Sequence, residues 1–313
     1  MTAAPKIAVV GSINVDIVVR APRLPKPGET VHGDSFAMTL GGKGANQAVA
    51  AARLGGDVAF LARTGADDFG AFARKQLERF ELCTRFVSRS ASTGTGIATI
   101  GVDSAGQNAI TIVAGANATL AAGDVEAVAE TIRGAGAVLL QCEVPLAVSL
   151  AAARIARQAG VPVIFDPAPV PDEGIAAFTG LVDYLTPNET EAARLTGLPV
   201  TTRGEALVAA RALRAQGFPA VIVKCGGNGL AFATADSEGE QGPIPVIVED
   251  TVAAGDSFNA GLAVALASPR PFGVALGWAR AAGALAVTRK GAAEAAPTAA
   301  EVAALLARHG LEA

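Results

Sequence analysis

Aromatic side chains are scarce in this sequence, at 4% of 313 residues, with a single Trp and a single Tyr. A protein that grips bases by stacking needs more aromatic surface than that. Histidine is scarcer still: only His32 and His309 occur, and His309 falls in an Arg-bearing terminal helix pattern that puts it on the surface. That argues against a Ser-His-Asp hydrolase or a His-ligated metal centre. The three cysteines, Cys83, Cys142 and Cys225, are far apart and odd in number. They suit neither a disulfide framework nor a metal site, and fit a reducing cytoplasm. Lys and Arg number 25 against 29 Asp and Glu, and no basic stripe exists, so nucleic acid is not an expected partner. Hydrophobic residues reach 51%, much of it Ala, yet no apolar run attains the roughly 18 residues of a membrane helix. The N-terminal apolar stretch gives way at once to Asn14 and Asp16, unlike a signal peptide. Two phosphate-binding signatures are missing too. Gly42-Lys43 is followed by Gly44, not Ser or Thr, and position 37 is Ala, so there is no Walker A loop. No Gly-x-Gly-x-x-Gly follows a strand, which weakens a dinucleotide-binding reading.

What is present is an alternation. Apolar strand patterns at Ile7–Val10, Val58–Ala62, Ala137–Gln141, Val161–Asp166, Val182–Thr186 and Ala220–Lys224 are separated by Ala-rich helical runs such as Val148–Gln158 and Glu205–Gln216. The pattern predicts an α/β fold, a mostly parallel sheet covered by helices, in one domain spanning the whole chain. Residues 14–40 break the rhythm, and Ile97–Val113 reads as a hairpin turning at Asp103–Asn108. Both segments are expected to form a small sheet apart from the main one.

The densest chemistry lies in Asp250-Thr-Val-Ala-Ala-Gly-Asp256-Ser-Phe-Asn-Ala-Gly261. An acidic residue ends the expected strand Val246–Val248, small residues follow, and an apolar helix begins through Phe258, Leu262, Val264 and Leu266. Ala253, Ala254 and Gly255 then sit at a helix N-terminus, where free amides and the helix dipole attract anions and small side chains allow close approach. Asp256 stands in the mouth of that cradle, either as a catalytic base or as a helix cap. A second segment, Gly41-Gly42-Lys43-Gly-Ala-Asn46-Gln47, opens a helix over Ala45–Leu54 with donors suited to a polyhydroxylated ligand. Asn14 and Asp16 share one face of an extended segment, where an acceptor pair holds sugar hydroxyls or merely faces water. Glu143 follows a strand, at the carboxyl edge where open α/β sheets bind ligands.

These motifs identify the chain as similar to the ribokinase family of sugar and nucleoside kinases. The resemblance runs nearly end to end and also includes Pro27-Gly-Glu-Thr30, Thr64-Gly65 with Asp67-Asp68 and Gly70, Ala114-Gly-Ala-Asn117, Asp166-Pro-Ala-Pro169, Thr186-Pro-Asn-Glu-Thr-Glu191 and Ala286-Val-Thr-Arg-Lys-Gly-Ala292. It implies ATP-dependent phosphorylation of the 5-hydroxyl of D-ribose. Asp256 would be the base and Ala253, Ala254 and Gly255 the amide cradle. Asn14, Asp16, Gly42, Lys43, Asn46 and Glu143 would hold the sugar. Asn188, Glu191, Lys224, Gly226, Gly227, Gly229 and Arg280 would serve ATP, with Glu191 organising Mg²⁺ through water. Position 224 often carries a hydroxyl in relatives; Lys224 either reaches phosphate or stays solvated. Asp250 with the carbonyls of Val252, Ala286, Arg289 and Gly291 would surround a monovalent cation, K⁺. Ala295 departs from a serine that relatives offer there. The resemblance also implies a lid, from about 14–42 and 95–113, that pairs two copies in a homodimer. A kinase for 2-deoxyribose or a nucleoside remains the near alternative. A non-catalytic sugar-binding protein would need neither an acid in the anion cradle nor a second Gly-rich loop.

Overall fold

The computed structural model describes residues 3–268 and 270–312. In chain order it contains β1 (Lys6–Val10), β2 (Asn14–Arg20), β3 (Ser35–Gly41), α1 (Lys43–Arg53), β4 (Asp57–Gly65), α2 (Asp68–Arg79), β5 (Val87–Ser90), β6 (Gly96–Val102) and β7 (Asn108–Val113). There follow α3 (Ala122–Glu126), α4 (Ala129–Arg133), β8 (Ala137–Leu140), α5 (Leu146–Ala159), β9 (Val163–Phe165), β10 (Tyr184–Leu185), α6 (Glu189–Thr196) and α7 (Arg203–Ala215). The chain ends with β11 (Ala220–Lys224), β12 (Leu230–Ala233), β13 (Glu238–Gln241), α8 (Ala254–Ala267), α9 (Phe272–Ala286) and α10 (Ala299–Arg308).

The large sheet runs β13-β12-β11-β10-β9-β8-β1-β4-β5. It is parallel from β5 to β11, and β12 and β13 are antiparallel. Its strands bury both faces, as a helix-covered parallel sheet must. Ile7, Val9, Leu139, Ile164 and Ile222 enter one core cluster, while Ala8, Val10, Val138, Leu140, Val163, Phe165 and Val221 enter the other. The period-2 pleat therefore sorts each apolar run between two cores. The alanine content finds its use on the first face. A Cβ on Gly261 of α8 would stand 3.0 Å from Ala282 Cβ and 3.1 Å from Ala279 Cα of α9, so these helices meet along small residues.

The parallel strands keep the expected centres but not all the expected ends. Residues 161–166 shorten to Val163–Phe165 and 182–186 to Tyr184–Leu185. Pro162, Pro167 and Pro187 flank these strands and lack the amide a ladder needs. The expected strand Val246–Val248 is absent: residues 242–248 are irregular, with Ile247 89% and Val248 60% exposed. Pro243 and Pro245 break the run of donors there, and the segment instead walls a cleft described below.

The second sheet, β3-β2-β6-β7, is formed by the two segments that break the α/β rhythm. Its β6–β7 hairpin turns where Asp103 accepts from the amides of Ala105 and Gln107. The junction of the sheets is held by Asn117. Its Oδ1 accepts from Ile13 N and its Nδ2 donates to Ile13 O and Asn14 Oδ1, all at 2.9 Å and all buried. One amide thus satisfies the backbone where β1 passes into β2, and it fixes the rotamer of Asn14.

Candidate active site

The winding direction of the large sheet changes at β1. From β1 the chain goes to β4 on one side and later to β8 on the other. The crevice at the carboxyl ends of β1 and β8 is a switch point, where open α/β sheets bind ligands. Ser12 follows β1, Glu143 follows β8, and α1 starts beside both. Ser12 Oγ donates to Glu143 Oε2 at 2.5 Å, and Lys43 N donates to the same oxygen at 2.8 Å. Glu143 is therefore an acceptor at the N-terminus of α1, not a loose surface acid. The close approach demands glycine: a Cβ on Gly44 would lie 2.4 Å from Ser12 N.

Asn14 and Asp16, on one face of β2, border the same crevice, and Asp16 abuts Gly41, where a Cβ would fall 2.2 Å from its oxygens. Burial, then the charges of Glu143 and Glu294, push the Asp16 carboxyl up to about 6. For Lys43, burial opposes the ammonium, but Asp166, Asp256, Glu143 and Glu191 outweigh it and raise its pKa.

Asp256 lies in the first turn of α8 and is 5% exposed. It does not cap the helix. The N-cap is Ala253, whose φ of 57° starts the helix abruptly. The Asp256 carboxylate instead accepts from Asn46 Nδ2 and Gln47 Nε2, each at 3.1 Å. Those partners sit on α1, so the Gly-rich segment and the Asp256 segment, more than 200 residues apart, form one site. Burial raises the Asp256 carboxyl to about 6; Lys43 lowers it, Asp166 raises it, and Gln47 and Asn46 lower it. Asn46 Oδ1 is buried without a protein partner, leaving an acceptor for a hydroxyl.

On the other side of Asp256 lies a cleft of about 590 Å³ lined by Lys224, Gly226, Gly227, Gly229, Pro243 to Val246, Ala254, Gly255 and Arg280, among others. Gly229 has φ 93°, and a Cβ there would collide with Gln241 O at 2.1 Å. Arg280 Nη2 donates to Gly242 O at 2.6 Å, tying α9 to the irregular wall. Asn188 and Glu191 form a reciprocal cap on α6, with both Glu191 oxygens accepting from Asn188. Burial, then Asp166, raise the Glu191 carboxyl, and Lys224 opposes them. Asn188 also bridges to Lys224 at the end of β11. The Lys224 side chain is only 14% exposed and pairs with Asp166 at 3.1 Å, so it is not a solvated surface lysine.

The segment expected to surround a cation is drawn together by Asp250. Its Oδ1 accepts from Val252 N and its Oδ2 from Gly291 N, each at 3.1 Å. Asp250 N donates to Val287 O, next to Ala286. Arg289 pairs with Glu301 at 2.6 Å, and Ala295 is fully buried. Sequence reasoning overlooked several members of the site: Ser12, Gln47, Asn117, Asp166 and Glu294. Asp166 had a usable signal, since it follows a strand as Glu143 does. Ser12, Gln47 and Asn117 stood inside quoted motifs without an assigned role. Glu294, whose Oε2 is buried without a partner beside Gly291, carried no signal.

Comparison with known proteins agrees with this geometry. The model of the pfkB family carbohydrate kinases matches residues 4–299. A ribokinase of Haemophilus influenzae is 37% identical over 295 residues, covering 93% of this chain and 95% of its own. A deoxyribokinase of Salmonella typhi is also 37% identical, over 252 residues, covering 80% and 82%. The solved structure of Arabidopsis thaliana ribokinase complexed with ribose and ATP superposes with a TM-score of 0.88 at 36% identity, covering 97% of this chain and 99% of that one. With a buried acid at a helix N-terminus between two glycine-lined crevices, and a family match over nearly its whole length, this chain belongs to the pfkB family of carbohydrate kinases.

Proposed function

We propose that this protein transfers the γ-phosphoryl group of ATP to the 5-hydroxyl of D-ribose, giving D-ribose 5-phosphate and ADP. The observation that carries this reading is the position of Asp256. It lies at the N-terminus of α8, joined through Asn46 and Gln47 to the crevice of Asn14, Asp16, Gly42, Lys43 and Glu143, and borders the nucleotide-sized cleft. The relatives that act on ribose or 2-deoxyribose support a pentose, and the Arabidopsis complex supports ribose with ATP. Acceptor and donor are then aligned across Gly255. The hydroxyl proton passes to Asp256 as the oxygen attacks phosphorus, and the amides after Ala253 stabilise the phosphoryl oxygens. Offered ribose, 2-deoxyribose, fructose and adenosine with Mg-ATP, the protein will turn over ribose fastest; a clear preference for adenosine or fructose overturns the assignment, and a preference for 2-deoxyribose narrows it to the second relative's substrate.

The base role has a pH signature. Asp256 must be ionised to accept the proton, and its carboxyl is pushed up to about 6. Turnover is therefore full above that value and falls as pH drops through it. Asp256→Asn keeps the shape and loses the acceptor; kcat should fall about 10²–10⁴-fold, the usual range for a general base, with ribose binding retained. Near-normal turnover in this variant would remove Asp256 from the mechanism.

Two ions belong to the reading. Among the described residues no cluster of three His, Cys, Asp or Glu is ready for a divalent ion. Mg²⁺ would arrive on the nucleotide and keep its waters, with Glu191 holding it through water. Bound there, it would neutralise phosphate charge. The carboxylate of Asp250 and the carbonyls of Val252, Ala286, Arg289 and Gly291 would supply an oxygen set suited to K⁺. The fit is supported by Asp250 pulling residues 250–252 onto Gly291 and by the unpartnered Glu294 Oε2 nearby. KCl should raise both activity and melting temperature over tetramethylammonium chloride of equal ionic strength, and Asp250→Ala should abolish both responses. Equal behaviour in the two salts would sink the cation site.

The small sheet serves in this reading as the lid over the sugar, with residues 1–313 forming a single kinase domain. Its outer half exposes Val19, Phe36 and Met38 on one face and Ile110 and Ile112 on the other. Such apolar exposure marks a contact surface, and a second copy's lid fits it. Sedimentation should give a dimer that Phe36→Ser with Ile112→Ser converts to monomer; a wild-type monomer at micromolar concentration would reject the pairing. No described helix is long and apolar enough to cross a membrane. The unpaired thiols of Cys83, Cys142 and Cys225 support a cytoplasmic setting.

A further inference from the structure

Between the two crevices, two lysines converge on one carboxylate. Asp166, at the carboxyl end of β9, is 2% exposed. Its Oδ1 accepts from Lys224 Nζ at 3.1 Å, and its Oδ2 faces Lys43 Nζ at 3.6 Å. The lysines come from different elements: Lys43 opens α1 beside Glu143, and Lys224 ends β11 on the wall of the nucleotide-sized cleft. Asp166 thus ties the acceptor side of the site to the donor side.

Lys224 reaches further than the wall. A Cβ built on Gly255 would stand 3.3 Å from its Nζ. Gly255 is the second residue of α8, in the turn whose amides have no helical acceptor. An ammonium group is repelled by the positive end of a helix, so the pairing with Asp166 is what holds it there. Two positive centres, one a cation and one a row of amides, face each other across the gap that a glycine leaves open. That arrangement suits an anion between them.

We propose that Lys224 is a catalytic residue whose ammonium touches an oxygen of the transferring phosphoryl group, and that Asp166 is the positioning residue that aims it. The inference rests on the kinase reading above. In the step, the acceptor oxygen forms its bond to the γ-phosphorus as the bond to the β,γ-bridging oxygen breaks. The electron pair of that bond leaves on ADP, and the hydroxyl proton goes to Asp256. Lys224 gives up no proton; it balances the charge carried by the phosphoryl oxygens opposite the α8 amides. Held by Asp166 before substrate arrives, it needs no reorganisation in the transition state. The competing explanation is that Lys224 merely neutralises a buried aspartate.

The two are separated with Lys224→Met and Lys224→Gln, the second of which keeps a hydrogen bond to Asp166. Turnover, KM for the sugar, and calorimetric affinities for ADP alone and for ADP with sugar and aluminium fluoride are measured on each. Aluminium fluoride mimics the phosphoryl group in flight. Loss of one donor to a developing charge predicts a fall in kcat of about 10²–10³-fold. Sugar KM and ADP affinity should stay within about threefold, because the contact is made in the transition state. The extra tightness gained with aluminium fluoride should disappear in both variants. A folded variant with wild-type kcat, or one that loses ADP and the aluminium fluoride complex equally, overturns the proposal. If Lys224→Met does not fold, Lys224→Gln decides alone. The comparison is made on whichever sugar the wild-type protein phosphorylates, so failure of the ribose assignment and failure of the Lys224 role are read separately.

Discussion

Two carboxylates withdrawn almost entirely from water, Asp166 at 2% and Asp256 at 5% exposure, govern the arrangement of everything around them. An isolated buried charge is expensive, so each must be paired or hydrogen-bonded. Asp256 receives two side-chain amides and the positive end of α8; Asp166 receives two ammonium groups. The carboxylates stand on α8 and just after β9, and their side-chain partners come from α1 and β11, elements distant in sequence. Meeting the needs of two carboxylates therefore brings four parts of the chain into one place. The same demand explains why Gln47 is itself tethered. Its Oε1 accepts from Gln141 Nε2 at 2.6 Å, which orients the amide so that its NH₂ faces Asp256.

The sheet makes this convergence possible. Parallel strands deliver their carboxyl ends to one edge, and at that edge stand Ser12, Glu143 and Asp166. The helices that follow present N-termini to the same edge, so backbone amides come with the topology. The small sheet grows from β1 through a junction that Asn117 satisfies completely. Asn14 and Asp16 are thereby tied to the large sheet although they belong to the small one.

Much of this was legible in the residues because the signals were local. Apolar runs gave the parallel strands, Asp103–Asn108 gave the hairpin, and the change from Asp250 through Gly255 to an apolar run gave the start of α8. The strand expected at Val246–Val248 does not form, because Pro243 and Pro245 break the ladder that the apolar run would otherwise join. Val246 packs against the core and, with Val248, lines the cleft, while Ile247 faces outward. Asp256 as base or cap was undecidable from sequence, since both roles want an acid at a helix start. The structure removes the cap, because the Asp256 carboxylate is held by Asn46 and Gln47, about 210 positions away, beyond any local rule. Asp166 escaped because a carboxylate after a strand acquires meaning only when two lysines are seen to meet it.

The charge balance of the assembled site sets terms for its nucleotide. Asp16, Glu143, Asp166, Glu191, Asp256 and Glu294 face Lys43 and Lys224, six carboxylates against two ammonium groups. The strain of that surplus is visible in Asp16, Glu191 and Asp256, whose carboxyls are all raised, by burial first and by neighbouring carboxylates next. A bare nucleoside triphosphate would add several negative charges to a site already in excess. On the proposed reading the protein's own answer is local and directional: the amides at the start of α8 and Lys224 face the interval where the phosphoryl group would pass. That suffices for the oxygens of one phosphoryl group but not for a whole triphosphate. On the same reading the remaining charge would be met by cations that come with the nucleotide. The crowding of carboxylates that raises Asp256, the proposed base, would thus also make the site dependent on the charge state in which its nucleotide arrives.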